Sequence, residues 1–250
     1  MKYLVLFLLS LFIPGVFFVI GFAFLNALNV FLFGILILFL LVIFSDKILL
    51  RLFKIKKSNK LGWAQNYIKN ISYQLKVKKY AVFTTEGKNI YTLDGFFTHP
   101  RIIIGEEFLE FFSKDEAEAL IYASILRIKN KDSRFRCFSS LLIDIFFLPF
   151  IKIPSQNLKI SFLSFRYFIR SYFYKNKNEI KKFDKNLGFH RVPFASALFK
   201  LNMQNEKGNF FLEDCAFSEA KTDQTIRYFF VSGYDFNTRY QDLLRENGKA

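Results

Sequence analysis

Few residues in this chain can carry chemistry, and the most suggestive stretch of them lies on one helix. "SKDEAEALIYASILRIKNKD" (113–132) opens with acidic residues and closes with basic ones, the charge order that suits a helix dipole. A zinc hydrolase helix places two imidazoles one turn apart, with a glutamate between them to take a proton from the metal-bound water. Here the corresponding interior holds Ala123, Ser124 and Arg127. Alanine has no donor atom, and a guanidinium repels a cation. The only histidines are His99 and His190, and the only cysteines Cys137 and Cys215. A relocated metal site would have to combine His99, His190, Asp184 and Cys215, whose spacing fits no ligand pattern. Ser124 as a nucleophile lacks a neighbouring base, because Lys129 lies on another face of the helix.

The elements that position this helix can be read around it. Ser113 is an N-cap, and Glu116 three residues on completes a capping box. Leu120, Ile121, Ser124, Ile125 and Ile128 span a face suited to burial. Upstream, "LGWAQNYIKNISYQLK" (61–76) has apolar residues at helical spacing. The runs "KYAVFTT" (79–85), "NIYTL" (89–93) and "RIIIG" (101–105), separated by turn residues, predict a small antiparallel meander. His99, before Pro100, reads as a loop residue.

Downstream, "CFSSLLIDIFFLPFIKI" (137–153) is apolar but short, and holds Asp144 and Pro149. "LKISFLSFRYFIRSYFYKNKN" (158–178) mixes aromatic with basic residues in the manner of an interfacial helix. The two form either a shallow membrane-associated hairpin over 137–175 or two core helices. "NEIKKFDKNLGFHRVPFASALFKLNMQ" (178–204) predicts two helices broken around "GFHRVP", and the tail ends in a turn and a short helix.

Composition bounds the rest. The chain has 250 residues, 52% of them hydrophobic and 20% aromatic, with a net charge of +15. No charged side chain occurs between Tyr3 and Ser45, a length that can hold two membrane spans broken at "NALN" (26–29). A transmembrane hairpin over 1–50 is the expectation. A cleaved signal peptide is the rival, and the absence of an A-x-A site speaks against it. The basic run after Asp46 places the following chain in the cytoplasm by the positive-inside rule. Residues 51–78 then form a basic, amphipathic juxtamembrane segment, and 79–250 the main domain. The basic residues are scattered and no nucleic-acid motif accompanies them, so a lipid bilayer is the expected partner and nucleic acid is not. The two cysteines give no disulfide framework.

The order of elements resembles the M48 metallopeptidases, the membrane-embedded zinc proteases that include the bacterial heat-shock protease and the CAAX prenyl protease. The resemblance runs through "RIIIGEEFLEFFSKDEAEALIYASILRIKNKD", with Asp115, Glu116 and Asp132 in the family's acidic positions. It continues in "PFASALFKLN" (193–202) and in "GYDFNTRYQDLL" (233–244), where Arg239 stands in the place of the family's arginine. It implies a mainly helical α+β, zincin-like domain with a small antiparallel sheet and an inserted hydrophobic hairpin. It also implies a location in the bacterial inner membrane, with the main domain cytoplasmic. The family's ligands and base fall on Ala123, Ser124 and Arg127, and its third ligand and following aspartate on Lys182 and Asn186. Catalytic zinc needs three protein ligands, and none is kept.

The resemblance thus implies a membrane-anchored pseudopeptidase with no catalytic residue, no metal and no cofactor. Its remnant cleft would be Tyr122, Ala123, Arg127, Lys182 and Asn186, open to a partner protein that adds a strand. Asp184, Asp132 or Glu179 should then offset the charges of Arg127 and Lys182. An active hydrolase with a non-standard site and a structural membrane-surface protein are the alternatives. An open edge strand beside residues 122–127 would favour the pseudopeptidase over the structural reading.

Overall fold

A computed structural model describes residues 27–51, 56–57, 61–151, 177–203 and 236–245, together with Leu11, Pro14, Gly15, Val19, Phe165, Arg166 and Ile169. Its elements are α1 (Ala27–Arg51), β1 (Lys56–Lys57), α2 (Trp63–Gln74), β2 (Ala81–Thr85), β3 (Ile90–Leu93) and β4 (Arg101–Gly105). They continue as α3 (Phe108–Phe111), α4 (Lys114–Lys129), α5 (Asp132–Ile151), α6 (Lys177–Lys185), a 3-10 turn (Gly188–His190), α7 (Arg191–Met203) and α8 (Phe236–Arg245).

The three β-rich runs form strands, but not a meander. The sheet order is β1-β2-β4-β3, with β2 and β4 parallel and β3 antiparallel to β4. This corrects the expected antiparallel sheet. The reason is visible in "RIIIG": an unbroken apolar run suits a central strand covered on both faces, so β4 enters between its predecessors. Ile102 and Ile104 face the cluster built around α4, and Ile103 faces the cluster with Cys137 and Leu141 of α5. The turn over β4 is tight. A Cβ at Gly105 would lie 2.0 Å from the Gly87 carbonyl oxygen, so only glycine fits there.

Helix α4 is the hub. Ser113 caps it with both reciprocal bonds of the capping box in place. Its buried side chains run from Glu116 to Ile128 and pack with Leu61, Ala64 and Ile68 on one side and Phe194, Ala197 and Leu198 on the other. The sheet's opposite face is covered by α1 and α5, through Leu41, Ile48, Leu50, Leu141 and Ile145.

Among the described residues, no helix is long and apolar enough to cross a membrane. This overturns the transmembrane hairpin over 1–50, and with it the integral-membrane, inner-membrane and cytoplasmic placement drawn from it. Helix α1 lies against the sheet, and Leu38 joins a further cluster with Leu142, Ile143 and Phe147 of α5. Leu38, Leu41, Ile48 and Leu50 thus serve packing within the domain, while Leu28, Leu32, Phe33, Leu36 and Phe39 of the same helix are exposed. Helix α5 likewise packs on the sheet, and its first turns carry Asp132, Arg134 and Arg136. The first expected span (3–24) and the second half of the 137–175 hairpin fall almost wholly outside the described residues.

Candidate functional site

The stretch of α4 where a metal motif would stand is packed solid. Ala123 and Ser124 have no exposed surface and Arg127 is buried. The Ser124 hydroxyl donates to the Leu120 carbonyl one turn back, at 2.8 Å, a bond internal to the helix that leaves no activated nucleophile. The Arg127 guanidinium lies 6.0 Å from the centre of the Phe183 ring. Tyr122 is half-buried, and its hydroxyl reaches the Asn186 carbonyl oxygen at 3.5 Å.

The structure therefore brings together part of the expected cleft. Tyr122 meets the backbone of Asn186, and Arg127 reaches α6. What it meets there is Phe183, while Lys182 and the Asn186 side chain are exposed. Helix α6 turns Phe183 and Asp184 inward, and Leu187 follows them just beyond its end. The apolar spacing Ile180, Phe183, Leu187 carries that phase in the sequence and would have singled out Phe183 over Lys182.

Asp184 and Asp132, two of the carboxylates expected near Arg127 and Lys182, each bind a further arginine. Asp184 accepts two bonds from Arg239, from Nε at 3.0 Å and Nη2 at 2.6 Å. Asp132 accepts from Arg136 Nε at 2.7 Å. The side chain of Glu179 lies outside the described residues.

A second cluster lies at the end of α6. His190 is buried, with its ring 4.6 Å from Tyr122 and 4.0 Å from Phe189, centre to centre. Tyr67 Oη is 3.4 Å from His190 Nε2. Burial lowers the imidazole's pKa, so the ring is neutral at pH 7. Burial, then the charge of Glu118 and the neighbouring Tyr122, push the Tyr67 phenol well above its ordinary value. A protonated phenol beside a neutral imidazole is a hydrogen-bonded pair, with the hydroxyl donating to Nε2 when the ring proton sits on Nδ1. Sequence reading had considered His190 as a ligand but missed this stack. "GFHRVP" shows only the aromatic neighbour, and Tyr67 and Tyr122 arrive from distant helices.

A third feature is Glu116, whose partners from α7 are not visible in its capping box or in its acidic position in the resemblance. It is buried and accepts from Lys200 Nζ at 2.7 Å, Ser196 Oγ at 2.5 Å and the Ser113 backbone N–H at 2.9 Å. Burial raises its pKa, but these bonds and the lysine's charge outweigh it, and the carboxyl ends below its ordinary value.

Among the described residues, no group of three or more His, Cys, Asp or Glu side chains could hold a metal ion. Of the relocated set, His99 is exposed in its loop, His190 faces Tyr67, Asp184 holds Arg239, and Cys215 lies outside the described residues.

The edge of the sheet nearest α4 is closed. In β3, Tyr91 and Leu93 pair with β4, which turns the backbone groups of Thr92 outward. Cys137 of α5 covers them: its thiol lies 3.8 Å from the Thr92 carbonyl oxygen, and the Asp94 N–H donates to its sulfur at 3.4 Å. Arg134 then pairs with Asp94 at 3.3 Å. A strand cannot add there without displacing α5.

No family model matches the chain, and neither a curated protein nor a solved structure matches it.

Proposed function

We propose that this chain is an M48-like domain that performs no hydrolysis and works by binding a protein partner. The observation that carries this reading is the state of α4. Its capping box and buried face are those of a hub helix, while the ligand and base positions are Ala123, Ser124 and Arg127, packed among side chains. A zinc-activated water needs three ligands and an open position, and a buried guanidinium opposes both. The closed β3 edge removes the strand-addition groove that would have favoured this reading over a structural protein, so the reading rests on α4 and binding is assigned to an outer surface.

The test is direct. Purified full-length protein, analysed by elemental mass spectrometry and offered casein and an unfolded protein, should carry no stoichiometric zinc and release no peptides. One tightly held equivalent of zinc, or chelator-sensitive cleavage, would sink the proposal.

A further inference from the structure

Helix α1 is apolar on both sides, and the domain covers one of them. Leu38, Leu41 and Ile48 pack inward, and Gly34 is buried on their side. Leu28, Leu32, Leu36, Leu40 and Phe44 follow each other at four-residue spacing, and all five are exposed. Phe33, Ile35 and Phe39 beside this row are exposed too. At about 100° per residue, these positions share one half of the helix surface, opposite the packed half. Between Leu28 and Phe44 there is no charged residue. The patch ends at Lys47, whose Nζ lies 5.0 Å from the centre of the Phe44 ring.

Size and shape both bear on what covers this face. Leu28 is 69% and Phe39 56% exposed. The exposed side chains together leave roughly 700 Å² of apolar surface open, at about 150–250 Å² for a whole large side chain. The largest apolar patch of a monomeric protein is typically about 300–600 Å². One partner in a standard protein interface contributes about 800 Å². A row at four-residue spacing is also the ridge that the commonest helix-helix packing sets into a neighbour's groove, at a crossing of about 50°. Leu36 stands at the middle of that row, both along the helix and around it.

We infer that α1 packs against α1 of a second copy of this chain, about a two-fold axis at Leu36. A two-fold contact must be self-complementary, and an uncharged ridge of leucines is. The chain carries +15, so two copies repel over much of their surface, but the face from Leu28 to Phe44 can meet itself without opposing cations. Lipid is the rival cover, yet among the described residues no helix is long and apolar enough to cross a membrane. The inference goes beyond the reading of the domain as a protein-binding module and stands whether or not the chain cleaves peptides.

The experiment uses the full chain in detergent-free buffer, with sedimentation velocity as the readout. The wild type should be a dimer with a dissociation constant at or below about 10 μM. Leu36→Glu should raise that constant at least about tenfold, because two like charges then meet at the centre of the contact. Leu36→Lys should do the same. An equimolar mixture of the two variants should dimerise again, since opposite charges now face each other at the crossing. Misfolding cannot produce that recovery, and both variants should keep the wild-type circular dichroism spectrum because residue 36 is exposed. A wild type still monomeric at about 100 μM would overturn the inference. So would a mixture that stays monomeric, or larger assemblies that Leu36→Glu leaves intact. A monomeric wild type that floats with phosphatidylcholine vesicles would overturn it too, and would make lipid the cover of this face.

Discussion

Two buried carboxylates hold this domain together, and they do so differently. Glu116 opens α4 and Asp184 sits on α6, and each meets a cation from another helix. Glu116 spreads its charge over a local backbone N–H, a serine hydroxyl and Lys200, whose side chain is 41% exposed. Asp184 places both oxygens on Arg239, whose side chain is 19% exposed and lies against the Phe194 ring. The first carboxylate keeps most of its partners if its charge is lost. The second depends on one guanidinium, and that guanidinium ties α6 to α8 beside the more exposed Lys181–Asp242 pair. A dispersed polar anchor is tolerant, whereas a bidentate one in a dry site is not.

The largest expected effect follows from that dependence. Asp184→Ala leaves Arg239 largely buried without its counter-charge, which typically costs about 3–5 kcal/mol. Urea denaturation should show this loss, and hydrogen exchange should show residues 236–245 opening first. A loss under about 0.5 kcal/mol would mean the pair is no tie.

The next effect tests the buried stretch of α4 between these anchors. Ala123→His inserts an imidazole where there is no exposed surface, and overpacking of this kind costs about 1–3 kcal/mol. Ala123→His, Ser124→Glu, Arg127→His and Lys182→Glu together should gain no zinc site, because Lys182 faces solvent while Phe183 faces Arg127. A folded four-fold variant that binds one zinc would show that these positions converge after all.

Glu116→Gln should cost less, about 1 kcal/mol, since the amide still bonds Ser113 or Ser196. The pH dependence sharpens the contrast. The folded carboxyl titrates below its unfolded value of 4.5, so its contribution is present above 4.5 and is lost as pH falls through the folded value. Wild-type stability should therefore decline with acid below about 4.5, and the Gln variant should lose part of that slope. Identical acid limbs for the two proteins would remove the ion pair from the account.

The smallest effect belongs to His190. Its folded pKa lies below the unfolded value of 6.5, so the unfolded chain takes up the proton first and stability falls as pH drops beneath 6.5. His190→Phe, which keeps an aromatic stack, should flatten that window at a cost of about 1 kcal/mol for the lost Tyr67 bond. The measurement is the difference in unfolding free energy between pH 7 and pH 5.5. A wild type that does not weaken over that interval would show that burial does not control this imidazole.

The amino-acid sequence by itself determined what depends on near neighbours. Ser113 and Glu116 declared the start of α4 because a capping box closes within one turn. The runs at 79–85, 89–93 and 101–105 declared strands through their β-branched composition. Tertiary structure alone decided how those pieces join. Strand order turned on which run best tolerates burial on both faces, a competition among segments that no local pattern expresses. The apolar stretch before residue 51 fits a membrane by composition, but in the described structure α1 packs on the sheet and on α5. The partners of the two carboxylates also come from afar: Lys200 lies 84 residues beyond Glu116, and Arg239 lies 55 beyond Asp184. An ion pair between helices, unlike the i,i+4 pair of Asp132 and Arg136, leaves no trace in sequence spacing, because its partners are set by which helices the hydrophobic core brings side by side. For the same reason, one step of helix phase gave α4 Phe183 and left Lys182 to solvent.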